Sequence, residues 1–423
     1  MTVFRPFAAV RPRGDLAEKI AALPYDVMNT EEAREMVKGN PYSFLHVDRA
    51  EIDLPEGTDP YSDAVYDKAA SNLRKMVDDG AMIRENAPSY YIYREQMGGR
   101  SQAGIVGCAS IDDYLNNVIR KNELTIAAKE ADRIRHVDTC DSNTGPIFLT
   151  FRKNAAVENL MKTTIETKEP IYNFLSEDEV RHTVWKLDGA EEIALIEEEF
   201  GKIPCLYIAD GHHRTASAVK VGLKRREQHP DFDGTEEFNF FLAVAFPANE
   251  LSIWDYNRAV RDLNGMTEEE FLARVSASFD VEKIEGPYGT GEEELSRLRP
   301  TEKHTVAMNL GGVWYHLTVH PDLYLGKDIV DTLDVALLQK NLLAPILGIE
   351  DPRTDKRISF VGGIRGLKEL AKLVDEDYAV AFAMYPTSME ELMAISDEGK
   401  IMPPKSTWFE PKLRSGLFIH ELS

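Results

Sequence analysis

Hydrophobic positions recur along the chain in blocks of two kinds. In the first kind nearly every residue is apolar: Ile147 to Phe151, Cys205 to Ala209 and Phe238 to Phe246 show no alternation. That is the pattern of strands covered on both faces. In the second kind apolar residues return every three or four positions, the mark of a helix with one buried face. Such helices are predicted over Tyr61 to Asp79, where Gly80 ends the pattern, and over Ala127 to His136, Ala155 to Met161 and the acidic Ala190 to Phe200. Another follows Asp210-Gly211 immediately and runs to about Glu227, with Ala216, Val219 and Leu223 marking its buried face. Val3 to Val10 and His182 to Leu187 read as strands, and Ser89 to Glu95 with Gln102 to Ile111 as a hairpin about Gly98-Gly99. Thr30 is the expected cap of a helix opening Thr30-Glu31-Glu32-Ala33. The last third alternates helices at Glu268 to Phe279, Ile364 to Val374 and Ser388 to Ile395 with a hairpin about Gly311-Gly312 and a strand at Tyr378 to Met384. The fold class is α+β, a mixed α/β arrangement, with boundaries near residues 100 and 255.

At 423 residues the chain exceeds what one core usually serves, so two or three domains are expected. Lys and Arg number 49 against 72 Asp and Glu, a net charge of −23 that repels nucleic acid and anionic membranes alike. A small phosphorylated ligand is still admitted, since a local basic pocket can sit inside an acidic surface. Cys108, Cys140 and Cys205 are widely spaced and odd in number, which supports neither a disulfide framework nor a zinc ribbon. The N-terminus lacks the apolar core of a signal peptide, and no apolar run is long enough to span a bilayer, so the expected location is the cytoplasm.

The chemistry concentrates at Asp210-Gly211-His212-His213-Arg214. A strand that ends in Asp-Gly and passes straight into a helix gathers free backbone N–H groups and the positive end of the helix dipole at one point. Gly211 lets a ligand approach, and Arg214 suits bidentate contact with phosphate oxygens. His212 and His213 are donors or proton carriers near neutral pH. A plain Asp-Gly turn with solvent-facing histidines is the bland alternative. Adjacent histidines diverge on a helix and no acidic or cysteine cluster completes a set, so no direct metal site is predicted. The Walker, dinucleotide-fold and hydrolase-elbow motifs are absent. Asp132-Arg133 reads as a surface pair, although Arg133 is in reach of a substrate carboxylate or phosphate; Asp26, after Pro24-Tyr25, is a second candidate. Lys405, before Ser406 and Thr407, either lines a pocket or begins a strand.

The run Leu206 to Ala216 resembles the phosphate-binding strand-turn-helix of the ParB/sulfiredoxin superfamily, and most closely its free-serine kinases. Asn122-Glu123-Leu124-Thr125 stands where those kinases carry His-Glu-x-Thr with a catalytic glutamate, and Gly145-Pro146-Ile147-Phe148 looks like their Pro-Ile strand. Two departures stand out: Asn122 replaces the histidine, and a long insertion separates Pro146 from Asp210. Over its whole length the chain resembles a large bacterial and archaeal family filed as a domain of unknown function, with Pro24 to Val27, Lys129 to Arg133 and Met402 to Phe409 as further landmarks. The resemblance implies a ParB/sulfiredoxin-like catalytic domain over 104–255, with an N-terminal α/β segment over 1–103 and a C-terminal α+β domain over 256–423. It implies a kinase that makes O-phosphoserine from free L-serine, with ATP, ADP or pyrophosphate as donor and Mg²⁺ carried by the phosphates. Glu123, Asp210 and His212 would be catalytic, and Gly211, His212, His213, Arg214 and Thr215 would hold phosphate. Asp26, Arg133 and Lys405 would meet the substrate. The alternative is a regulatory nucleotide-binding protein without turnover. Expected partners are a small metabolite and a second copy of the chain, not nucleic acid or a membrane.

Overall fold

Nine strands of the chain hydrogen-bond into one mixed sheet. They are β1 (Phe4–Arg5), β2 (Tyr90–Met97), β3 (Arg100–Ser110), β4 (Ile119–Arg120), β5 (Ile147–Phe151), β6 (Tyr172–Leu175), β7 (Arg181–Leu187), β8 (Leu206–Asp210) and β9 (Phe240–Pro247). Their order is β4-β8-β5-β9-β3-β2-β7-β6, with β1 beside β3. Every residue of β5 and β9 is buried, as their unbroken apolar runs predict. Five long helices accompany the sheet, besides shorter ones: α1 (Asp63–Asp78), α2 (Ala127–Cys140), α3 (Ala155–Thr167), α4 (Ala190–Lys202) and α5 (His212–Gln228). Val157 and Met161 of α3, Ile196 and Phe200 of α4, and Ala218 and Val219 of α5 join Leu149, Ile208 and Ala243 of the sheet in one core. α2 lies along α5, where the Ser217 hydroxyl donates to the Glu130 carbonyl at 3.1 Å.

This computed structural model describes all 423 residues, in two compact units. The first comprises Met1–Leu251 and Pro411–Ser423; the second is Ser252–Glu410. The expected division at 103/104 differs from this: β3 runs through both residues, and its ladder with β2, from Tyr91 opposite Val106 to Met97 opposite Arg100, ties the two segments into one sheet. The final residues rejoin the first unit, Ile419 pairing with Val10 and His420 with Asn143.

The second unit holds β10 (Tyr256–Val260), β11 (Phe279–Lys283), β12 (Thr305–Leu310), β13 (Val313–Val319), β14 (Ile358–Gly362) and β15 (Val380–Met384), in the order β11-β13-β12-β15-β10-β14. All its pairs are antiparallel. With it go α6 (Glu268–Val275), α7 (Gly366–Glu376) and α8 (Met389–Asp397). α6 is shorter than predicted, because Phe279 pairs with Val319 as the start of β11. The predicted strand Val3 to Val10 also breaks: Pro6 has no N–H for a ladder, so β1 ends at Arg5, Phe7 makes an isolated bridge with Ser89, and a ladder resumes at Val10–Pro12 against Met82–Arg84. The helix expected to be capped by Thr30 begins at Thr30, and Asn29 caps it through a reciprocal box with Glu32. No helix is long and apolar enough to cross a membrane. All three cysteines are buried and unbridged.

Candidate functional site

β4 and β8 run parallel, Leu206 opposite Ile119 and Tyr207 opposite Arg120, while β5 runs antiparallel to β8. The residues that follow β4, those that follow β8 and those that precede β5 therefore meet at one edge of the sheet. This brings Glu123, Asp210 to Thr215 and Gly145-Pro146 together. Between Ile208 and Asp210 the register against β5 shifts. A bulge of this kind re-aims the side chain that follows it.

Gly211 has φ +90° and ψ 30°, the left-handed conformation, and stands at the N-cap of α5. A side chain there would be strained, which is why the turn requires glycine. The first intrahelical bond is donated by the Thr215 amide to the Gly211 carbonyl at 2.9 Å, so the amides ahead of it lie outside the helix's own ladder. No side chain caps them.

Both Asp210 oxygens are engaged. Oδ1 accepts from the Gly211 amide at 2.8 Å and Oδ2 from Lys412 Nζ at 2.8 Å. Burial alone would raise this carboxyl, but Lys412, the Gly211 amide and Arg214 outweigh it and hold it below the usual carboxylate range. His212 is buried; its Nε2 accepts from the Asn122 amide at 3.4 Å, and its Nδ1 lies 3.7 Å from Glu123 Oε2. Burial pushes His212 down to about 4, with His213 and Lys121 adding to the effect and Asp210 opposing it. The imidazole is therefore neutral at physiological pH. Glu123 keeps 44% of its side chain exposed. The buried Asn122 also donates through Nδ2 to the Ile208 carbonyl at 2.8 Å, which fastens the segment after β4 to β8.

The remaining predicted residues divide. His213 Nε2 accepts from the Ile126 amide at 2.9 Å, so this ring clamps the segment between β4 and α2. Thr215 is fully buried and its hydroxyl donates to the Gly211 carbonyl at 3.1 Å, a bond within the helix. Arg214 donates to the Pro146 carbonyl at 3.3 Å and lies 5.5 Å from the Tyr25 ring centre, and its Nη2 is buried without a partner. Arg133 corrects an expectation: the Asp132–Arg133 pair is not on the surface. Its side chains are only 11% and 10% exposed, the Nε–Oδ2 contact is 2.8 Å, and the guanidinium stacks 3.9 Å over Tyr25. Asp26 is exposed, and it is the preceding Tyr25 that is buried here. Lys405 belongs to the second unit, where its ammonium lies over Tyr256. Sequence reasoning missed Lys412, which comes from the C-terminal return and carries no local signal.

No curated protein matches this chain. Among solved structures, a conserved hypothetical protein from Pyrococcus furiosus is 15% identical over 74% of this chain and 93% of its own, with a TM-score of 0.34. A free serine kinase in complex with AMP is 13% identical over 73% of this chain and 90% of its own, with a TM-score of 0.34. SbnI with a C-terminal truncation, from Staphylococcus aureus, is 12% identical over 72% and 82%, with a TM-score of 0.37. Likeness at this level carries no functional argument. Residues 4–336 match the family described as protein of unknown function DUF1015, and the chain belongs to that family.

Proposed function

We propose that the first unit is a phosphotransferase that moves a phosphoryl group from ATP, ADP or pyrophosphate to the hydroxyl of a small metabolite, free L-serine in the first place. One observation carries the reading: a partly exposed carboxylate, Glu123, stands beside the N-terminus of α5, with His212 Nδ1 3.7 Å from its Oε2. Phosphoryl transfer to an alcohol needs little more from a protein than a base near the hydroxyl and donors on the transferring phosphate. The amides at the start of α5 are such donors. Glu123 takes the hydroxyl proton, the acceptor oxygen bonds to phosphorus, and the bond to the leaving phosphate or nucleotide breaks. The leaving group carries away the negative charge. The acceptor class comes from the resemblance of Leu206 to Ala216 to free-serine kinases, and with it the segment 104–255 is read as the ParB/sulfiredoxin-like part of the unit.

Mg²⁺ neutralises donor phosphates in such reactions. The side chains fit it only as a passenger on the donor: no three His, Cys, Asp or Glu side chains group to hold an ion, and both Asp210 oxygens already have donors.

The test is to incubate the full chain with Mg²⁺, L-serine and each donor in turn, and to assay O-phosphoserine. Phosphoserine is expected with at least one donor; none with any donor overturns the assignment. Glu123→Gln should lower turnover by roughly 10²–10⁴-fold, the usual worth of a general base, and leave donor affinity within about twofold. Retained donor binding without product in the wild type would instead support a regulatory nucleotide-binding role.

A further inference from the structure

Behind the turn, Tyr25, Asp48, Arg133, His136, Thr144, Gly145 and Arg214 line a small pocket of about 30 Å³ within the first unit. Most of its charges are matched. Arg133 pairs with Asp132 at 2.8 Å, and Asp48 accepts from the Thr144 hydroxyl at 3.0 Å and lies 4.0 Å from His136 Nε2. Arg214 is the exception. Its one hydrogen bond is the long contact to the Pro146 carbonyl, and its Nη2 is buried without an acceptor. A second buried donor is idle beside the pocket's Gly145, behind the lining itself: Ser415 is fully buried and its Oγ has no partner. The two converge on Gly145, where a Cβ would stand 2.9 Å from Ser415 Oγ and 3.1 Å from Arg214 Nη1.

Buried donors without acceptors are costly, more so when charged, and two residues that carry them beside one glycine point to an acceptor that arrives with a ligand. A guanidinium edge and a hydroxyl suit an oxyanion. Size admits only a small headgroup, since about 30 Å³ is room for one or two water-sized groups and not for a whole drug-sized ligand.

We propose that Arg214 and Ser415, with Gly145 leaving the room between them, form an oxyanion site that takes the carboxylate of a small amino or hydroxy acid. That the carboxylate belongs to the phosphoryl acceptor rests on the phosphotransferase reading. Arg214 is thereby moved from the donor phosphates, where the sequence motif alone put it, to the acceptor.

Calorimetric titration of the full chain with L-serine, L-serinamide, inorganic phosphate and ADP separates the sources. L-serine should bind at least about tenfold more tightly than L-serinamide, which lacks the carboxylate, a difference of roughly 1.4 kcal/mol. Arg214→Gln and Gly145→Ala should each weaken L-serine about tenfold or more and leave ADP within about twofold. If Gly145→Ala fails to fold, as its melting curve will show, Ser415→Ala removes only the hydroxyl and takes its place. No L-serine binding to the wild type, or equal binding of L-serinamide, overturns the proposal. So does a loss of phosphate or ADP affinity in the variants with L-serine unaffected, which would give the pocket to the donor. The two readings fail separately: variant-sensitive L-serine binding without phosphoserine formation sinks the kinase and keeps the pocket. Turnover whose KM for L-serine ignores all three variants sinks the pocket and keeps the kinase.

Discussion

At the N-terminus of α5 a protonated imidazole would face the positive end of the helix dipole, and His212 avoids that cost by staying neutral. Its tautomer follows from its partners. Nε2 accepts the Asn122 amide hydrogen, so the ring proton sits on Nδ1, toward Glu123. We expect ¹⁵N NMR of the imidazole to show Nε2 unprotonated and no titration of His212 until the pH approaches about 4. A midpoint near its ordinary value would mean that the ring is solvated and does not hold the glutamate. At this scale the sequence disclosed residue identities better than roles. Asp210 and His212 stand out as candidates because a strand-turn-helix is a local pattern, whereas Glu123 enters only through the resemblance to free-serine kinases. That His213 would clamp Ile126, and that the Thr215 hydroxyl would turn back to Gly211, depends on where the segment after β4 runs and on side-chain rotamers. Neither is written in spacing. Asn122 gains its meaning only in space, where its amide and side chain join β4's exit to His212 and β8.

Elements built from local periodicity were read closely: β5 spans Ile147–Phe151 as predicted, and α5 starts directly after Gly211. The C-terminal return was not, because a short segment that packs alone against a distant sheet has no period to detect. Yet Leu417, Phe418 and Ile419 are fully buried, with Phe418 ring centres 5.1 Å from Tyr91 and 6.0 Å from Tyr93. The same segment carries Lys412 to Asp210 and fixes Arg414 to Asp178. Phe418→Ala should therefore cost about 3–5 kcal/mol, as truncation of a core phenylalanine does. Urea unfolding of the full chain, followed by tyrosine fluorescence, measures it. A loss below about 1 kcal/mol, the scale of a surface change, would show that the return is loosely held and that Lys412 is not fixed beside the turn.

For the whole molecule the two units are expected to answer acid in opposite directions. In the first, burial depresses His136 and His212 to about 4 and His182 to about 3, from an ordinary 6.5. The unfolded chain takes up protons at these positions as pH falls through 6.5 and the folded unit does not, so its stability declines between about 6.5 and 4. His46, raised by its hydrogen bond to Asp53, works against this but is one group against three. In the second unit the buried Asp334 is pushed up to about 7, by burial and by Glu391, against the pull of the His304 amide and Lys303. Here the folded form holds a proton that the unfolded form releases above 3.8, so stability falls as pH rises from about 4 to 7. At one pKa unit per 1.36 kcal/mol the span is on the order of 2–4 kcal/mol, and the lowered His304 offsets part of it. Calorimetric melting at about pH 5 and pH 7.5 should then show the two transitions move oppositely, the first unit's rising with pH and the second's falling. Asp334→Asn assigns them: it should raise the second unit's transition at pH 7.5, narrow its difference between the two pH values, and leave the other in place. If both transitions rise together with pH in the wild type and Asp334→Asn changes neither, Asp334 is ionised in the folded unit, and the opposed response disappears with it.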